Sequence, residues 1–502
     1  MDIINSIATW LFKKRMHQID LFLKYPNEVQ EDTFKKLIYS AKNTEWGEKH
    51  NYSEIINYNQ FKEIVPLNEY DDLKPYIQKM RNGQSNILWP GEIKWYAKSS
   101  GTTSDKSKFI PVSTESLEDC HFRGGKDMLT LYCENYENTQ IFSGKSLTLS
   151  GSWKIDYPNN DTYFGDLSAI ILQNLPILAE WARTPSLDIA LMDNWEEKIE
   201  KICEETIPEN VTSLAGVPSW ILLILKNIIE KTKENSISEV WPNIEVFFHG
   251  GVNFFPYKTQ YKEIINKPDF RFWEIYNASE GFFGLQLEKE SEDLLLMLDY
   301  GVFYEFIDVE DLSKKTIVLD EIIVGKNYEV IINTNSGLWR YKIGDTISFT
   351  SNNPYLFRIT GRTKNFINAF GEELMIDNAE KAIDIACKKC DCLVKEYTAA
   401  PLFFTSNKSG AHEWVIEFEK KPENLIFFAE ILDNSLKSLN SDYEAKRFGN
   451  MILGFPKITS LNNGVFYKWL KQNNRLGGQY KVPRLMNNRK IIEEIILINQ
   501  NI

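Results

Sequence analysis

Apolar residues near the start of the chain fall at helical spacing. Phe34, Leu37, Ile38 and Ala41 stand at i, i+3, i+4 and i+7, one face of an amphipathic helix. Residues 1 to about 90 read mostly as such supporting helices, until Pro66, Pro75 and Pro90 cut the chain into short pieces. Beyond them strand and helix alternate. Ser146 to Leu149 predicts a strand ending in the turn Ser150-Gly151-Ser152. Asn194 to Cys203 predicts a helix, and Leu214 to Trp220 a turn feeding the apolar helix Ile221 to Ile229. Ile244 to Phe248 reads as a buried strand running into His249-Gly250-Gly251. Phe270 to Tyr276 reads as another, ending in Asn277-Ala278-Ser279-Glu280-Gly281. Strands that end in small polar residues and alternate with helices predict an α/β sheet whose ligand lies beyond the strand C-termini.

From residue 294 to 350 the pattern turns all-β. Gly301 to Ile307 and Tyr328 to Asn333 read as strands, and the turn Asn335-Ser336-Gly337 leads into a further strand, Leu338 to Asp345. This predicts a small barrel or curved sheet attached to the α/β part. After Gly361-Arg362 the pattern restarts. Asp377 and Glu380 form a capping-box pair opening a helix with Ile376, Ala379, Ile383, Cys387 and Cys390 on one face. Strands around Leu402 to Phe404 and Trp414 to Phe418 follow, then a helix with Leu425, Phe428, Leu432 and Leu436 on one face. The expected architecture is α/β: a large N-terminal domain over 1–361, built of α/β sheets plus the small β-barrel region, and a smaller mobile α+β domain over 362–502, joined by a hinge near Arg362.

Chemistry concentrates where strands end. In Trp95 to Pro111, the residues Ser99, Ser100, Thr102, Thr103 and Ser104 surround Gly101, with Lys98, Lys106 and Lys108 beside them. Many small donors and adjacent ammonium groups suit an oligophosphate. The stretch lacks the second glycine and the Gly-Lys-Ser/Thr ending of a Walker loop, so phosphate binding here needs another scaffold. Three further patches, His249-Gly250-Gly251, Tyr276 to Glu280 and Tyr341 to Asp345, complete a nucleotide site in outline if their strands are neighbours. Each also has an ordinary use. Ser279-Glu280 can cap a helix, Gly344-Asp345 can form a hairpin turn, and His249 can be a hydrogen-bonded core histidine.

Composition narrows the partners. The 502 residues are 43% hydrophobic and 25% charged, ordinary for a globular chain but too long for one core. With 70 acidic against 57 basic side chains the net charge is -13, so no general field favours nucleic acid. The apolar run Trp220 to Leu225 stops at Lys226, far short of a membrane span. The N-terminal basic cluster Lys13-Lys14-Arg15 follows the apolar part, the reverse of a secretory signal, and a docked terminal helix is favoured over a membrane-surface one. Six cysteines without a spaced disulfide framework fit a reducing compartment, so the cytoplasm is expected. Cys387-Lys388-Lys389-Cys390 has a C-x-x-C spacing but no second pair, which argues against zinc. Nothing in the sequence sets an oligomeric state.

Three ordered motifs carry a resemblance: Ser99-Ser100-Gly101-Thr102-Thr103 with Lys108, Tyr276-Asn277-Ala278-Ser279-Glu280, and Tyr341-Lys342-Ile343-Gly344-Asp345. With Gly361-Arg362, Gly371-Glu372-Glu373 and Gln479-Tyr480-Lys481-Val482-Pro483-Arg484, they resemble the auxin-responsive acyl-acid amido synthetases. These form the Gretchen Hagen 3 family, a branch of the ANL adenylate-forming superfamily, and the chain is similar to its bacterial-type members. The resemblance covers nearly the whole chain. It departs from the family pattern at Asp105, where glycine is usual, at Asn277 and Ala278, and at Lys342, where arginine is usual.

The resemblance implies a two-step ligase. A small carboxylic acid attacks the α-phosphate of MgATP to give acyl-AMP and pyrophosphate, and an amino acid amine then displaces AMP. Ser99 to Thr103 and Lys108 would hold the phosphates, Glu280 would bind Mg²⁺, Tyr276 would lie against the adenine, and Asp345 would take the ribose hydroxyls. Gly250, Gly251, Ser279 and Arg362 complete the expected nucleotide site. Lys481 is the expected cation from the small domain, with Lys364 as its rival, and Gly216 to Trp220 a candidate wall of the acyl pocket. Two alternatives remain: a ligase passing the acyl group to a thiol such as coenzyme A, and a catalytically silent nucleotide-binding homologue.

Overall fold

A computed structural model describes residues 7, 9–10, 12–100, 107–151, 162–255, 257–311, 313–363, 366–404, 409–473 and 482–500. The chain divides into two units: residues 1–98 with 109–363, and residues 364–502 with 99–108.

Near its start the first unit carries the helices Met16–Lys24 and Pro26–Ala41. The latter buries Phe34, Leu37, Ile38 and Ala41, the face read from the sequence. The strands follow in chain order: β1 (Trp95–Ser100), β2 (Ser107–Val112), β3 (Lys145–Thr148), β4 (Tyr163–Gly165), β5 (Arg183–Thr184), β6 (Val211–Gly216) and β7 (Val246–His249). Next come β8 (Arg271–Ala278), β9 (Gly281–Gln286), β10 (Leu294–Leu296), β11 (Val302–Asp308), β12 (Thr316–Ile317), β13 (Asn327–Thr334), β14 (Tyr341–Asn352) and β15 (Tyr355–Arg362).

A three-stranded sheet has the order β2-β1-β4, and a twelve-stranded sheet the order β12-β11-β13-β14-β15-β10-β9-β8-β7-β6-β3-β5. From β5 to β8 every pairing is parallel, and from β8 to β12 every pairing is antiparallel. β8 is therefore the seam between an α/β half and an all-β half. The antiparallel region expected beyond residue 294 is joined through β8 to the α/β half in a single strand order.

Apolar content decides which face each element buries. β7 is buried throughout, as a strand flanked by parallel neighbours must be. The helix Pro218–Thr232 starts three residues earlier than read, because Pro218 at its first position needs no N–H partner. Asn194 caps the helix Trp195–Thr206, its side chain accepting from the Glu196 and Glu197 N–H groups. The strand expected over Leu338 to Asp345 begins only at Tyr341. Arg340 before it has φ 41°, a left-handed conformation that a continuous strand excludes.

A buried polar network explains that conformation. The Arg340 guanidinium is paired with the Glu305 carboxylate at 2.8 Å, their side chains 5% and 0% exposed. It also donates to the Thr316 hydroxyl and to the Lys62 and Val65 carbonyls, while the Arg340 N–H donates to Asn333 Oδ1. Tyr58 donates to Glu305 Oε2, the same oxygen that Arg340 meets at 2.8 Å. These bonds hold the segment entering β14.

The second unit carries β16 (Phe366–Ile367), β17 (Leu374–Met375), β18 (Leu393–Leu402), β19 (Ala411–Lys420) and β20 (Lys457–Ser460). β18, β19 and β20 form one sheet, with the helices Ile376–Cys390 and Leu425–Leu439 among its partners. The expected Asp377/Glu380 capping box is not what opens the first helix. Asn378 Oδ1 accepts from the Met375 N–H, and Glu380 is taken up by the Tyr397 hydroxyl at 2.9 Å. β18 ends at Leu402, so Phe403 and Phe404 lie beyond it rather than within a strand.

Among the described residues no helix is long and apolar enough to cross a membrane, and no group of three metal-ligating side chains is gathered.

Candidate nucleotide site

The antiparallel register places the third motif. Asp345 pairs with Arg362 across β14 and β15, and Arg362 Nε donates to Asp345 Oδ1 at 2.5 Å. Tyr276, from β8, donates its hydroxyl to Asp345 Oδ2 at 2.6 Å. Both carboxylate oxygens are thus fixed by charge-assisted or phenolic donors, with the Asp345 and Arg362 side chains only 11% and 17% exposed. Burial, and then the Asp345 charge, hold the Tyr276 phenol well above its ordinary range, so it stays a donor. The Tyr276 ring packs against Phe283 at 5.2 Å and Phe357 at 6.0 Å. Its observed role is to hold Asp345, beside the adenine contact expected of it.

The second motif ends β8 and turns into β9. Ala278 pairs with Gly281, so Ser279 and Glu280 are the two residues of a tight hairpin, not a helix cap. A register shift at Tyr276/Asn277 marks a bulge, which re-aims the residues that follow it. Glu280 is half-buried on this turn. Burial, and then the Glu280 charge, hold the nearby Tyr341 phenol well above its usual range. The Tyr341 hydroxyl is buried and has no hydrogen-bond partner among the described residues. A buried donor left without an acceptor is costly unless a ligand supplies one. Tyr341 was visible only as part of its motif; its unmet hydroxyl needed coordinates.

Gly250 and Gly251 follow β7. A Cβ on Gly250 would lie 2.5 Å from the Ile275 carbonyl oxygen and 3.4 Å from Asn277 Oδ1, so only glycine lets this turn lie against β8. His249 is buried, its ring stacked on Phe254 at 4.0 Å, and burial lowers its pKa to about 3. It is a neutral core histidine whose Nδ1 lacks a partner among the described residues. Lys342 spends its charge on Glu329, 3.7 Å away on β13.

In the first motif, Ser99 and Ser100 end β1, and half-buried Lys108 is the second residue of β2. Gly101, Thr102, Thr103, Asp105, Lys364 and Lys481 lie outside the described residues. In the second unit, Glu372 accepts from the Ala369 and Phe370 N–H groups and lies 2.8 Å from His412 Nε2, shaping the turn between β16 and β17. The site thus joins Tyr276, Asp345 and Arg362 directly, with Gly250, Ser279, Glu280 and Tyr341 on adjoining segments.

The residues fit a magnesium nucleotide. A half-exposed carboxylate on a turn suits Mg²⁺ that arrives with phosphates and waters as its other ligands. A fixed, doubly tethered carboxylate suits a ribose diol.

The chain is 23% identical to indole-3-acetic acid-amido synthetase GH3.4 of Arabidopsis thaliana, over 94% of this chain and 92% of that protein. It is 22% identical to 4-substituted benzoates-glutamate ligase GH3.12 of the same plant, over 96% of each. Among solved structures, GH3.15 acyl acid amido synthetase superposes with a TM-score of 0.61 at 18% identity, covering 97% of this chain and 96% of that one. These relatives are named for making amides from acids, and the structural likeness shows that this chain shares the fold of the GH3.15 synthetase. The GH3 family N-terminal domain matches residues 15–270, the central domain 295–362 and the C-terminal domain 377–490. Spanned by these three in order, the chain belongs to the GH3 family.

Proposed function

We propose that this protein is an ATP-dependent acyl-acid amido synthetase that adenylates a small carboxylic acid and transfers the acyl group to an amino acid. The observation that carries the reading is the Asp345 carboxylate, tethered by Tyr276 and Arg362 beside the Glu280 hairpin. Asp345 accepts from the ribose diol, while Gly250 and Gly251 leave room for the base. Ser99 to Thr103 and Lys108 hold the phosphates, and Lys481 supplies a second cation. Bound Mg²⁺, held by Glu280, supplies positive charge that offsets the repulsion between carboxylate and phosphate. Lys108 does the same from the protein side. We place the enzyme in the cytoplasm, which suits its six free cysteines.

The test is acid-dependent pyrophosphate release from MgATP over a panel of aryl, indole and aliphatic acids with mixed amino acids present. Release with some acid is expected, falling by roughly 100-fold in Lys108→Ala if that ammonium stabilises the transition state. ATP binding without release for any acid would support the silent homologue, and a product formed only with coenzyme A would support the thiol acceptor. Glu280→Gln keeps the hairpin but removes the anionic ligand. It is expected to raise the Mg²⁺ concentration for half-maximal rate by roughly tenfold or more, the scale of one lost charged contact. An unchanged Mg²⁺ titration would remove Glu280 from the metal site.

A further inference from the structure

Cys387, Cys390 and Cys392 follow closely in sequence where the helix Ile376–Cys390 of the second unit ends. Asp391 closes this helix in the left-handed conformation, at φ 46° and ψ 49°. The Cys392 N–H then donates back to the Cys387 carbonyl at 3.1 Å. This six-to-one bond around a left-handed residue is a Schellman cap, whose geometry brings the side chains at its two ends together, usually as an apolar contact. Here both ends are thiols. After burial, the neighbouring Cys387 thiol raises the Cys392 pKa. Cys392 is buried, at 3% exposure, whereas Cys387 is half-buried and open to small molecules.

We propose that Cys387 and Cys392 form a reversible dithiol site that reacts with low-molecular-weight disulfides such as oxidised glutathione and closes into an intramolecular disulfide across the helix cap. The Cys387 thiolate attacks one sulfur of the small disulfide, whose S–S bond breaks and releases one glutathione as thiol. Cys392 loses its proton to solvent and attacks the Cys387 sulfur, expelling the second glutathione. Two electrons pass from the protein dithiol to the small disulfide, and two glutathione thiols result.

Cys390 is the competing partner, and helix geometry disfavours it. Side chains at i and i+3 have Cβ atoms about 5–6 Å apart. A disulfide needs about 3.5–4.5 Å. Joining Cys387 to Cys390 would unwind the last turn, whereas Cys392 is already folded back onto Cys387. Burial, and then Cys387, raise the Cys392 pKa to about 12. Capping Cys387 as a mixed disulfide removes that neighbouring thiol and eases the second step. Closure pins the first residues of β18 to the helix end.

The full-length protein, native and at neutral pH, is treated with excess oxidised glutathione, quenched with acid and alkylated. Two of its six thiols are expected to disappear from a denatured thiol titration. Trypsin cuts after Lys388 and Lys389, so a cross-link joins two peptides that separate on reduction. C390S should still give this linked pair; C387S should lose it, and C392S should stop with glutathione on Cys387. Circular dichroism confirms that each variant is folded. A linked pair absent from C390S, or wild-type protein that stops as a mixed disulfide or does not react, would overturn the assignment.

Discussion

Asp345→Ala is expected to lower kcat/KM for ATP in acid-dependent pyrophosphate release by roughly 100-fold or more, because hydrogen bonds to a charged group contribute about 1.5–3 kcal/mol each. A ribose diol would make two of them, and each 1.36 kcal/mol is about tenfold in rate. The carboxylate is also held still before the nucleotide arrives, by Tyr276 at 2.6 Å and Arg362 at 2.5 Å, so little ordering remains to be done on binding. Tyr276→Phe keeps the ring and cuts one tether; it should cost about tenfold, the low end for one hydrogen bond to a charged group and less than Asp345→Ala. The ratio of ATP to 2′-deoxy-ATP use reads the ribose contact directly and should collapse toward one in Asp345→Ala. A variant that keeps both its rate and its ribose preference would rule out the assignment.

Glu305→Ala is expected to have the largest effect on stability, about 3–5 kcal/mol, since it strips the partner from a buried guanidinium. Arg340 cannot shed its charge, and its side chain is 5% exposed. The loss should appear as a lower urea midpoint for the first unit, followed by tryptophan fluorescence. The exposed pair Lys35–Glu31, with side chains 59% and 64% exposed, is the contrast: Glu31→Ala should change the same midpoint by only about 0.3–0.5 kcal/mol. An equal response from both variants would mean that burial is not what gives the Glu305 pair its weight. Asp345 would be affected indirectly, because Arg340 immediately precedes the strand that carries it.

The elements that could be read in advance were those whose own side chains decide them. Val246–His249 and Val302–Asp308 are apolar runs bounded by glycine, and both appear as strands within two residues of expectation. The helix over 26–41 buries the stripe its spacing predicts. What could not be read depended on distant partners. Arg340 turns left-handed because Glu305, Thr316 and Asn333 receive its groups, and the first two lie on other strands far from it in sequence. Glu380 has the spacing of a capping residue, but Tyr397 on the neighbouring strand claims it. At the site, the residue types were legible from three motifs, whereas Tyr276's grip on Asp345 needed the pairing of β8, β9, β10, β15 and β14. Lys342 stands where the resemblance expects an arginine, and its ion pair with Glu329 gives it a structural task.

The strand order of the large sheet has a consequence for biosynthesis. β15, the last strand of that sheet to be translated, lies between β14 and β10. Until it emerges from the ribosome, the strands that carry Tyr276 and Asp345 belong to two separate sheets, each with an unpaired edge. A nascent chain shorter than about 355 residues therefore exposes two strand edges open to mispairing, the kind of intermediate that chaperones shield. Insertion of β15 joins the two sheets and, in the same event, delivers Arg362 to Asp345. A polypeptide released early would hold most of the motif residues and still have no nucleotide site, so this protein becomes a candidate ligase only when its keystone strand is in place.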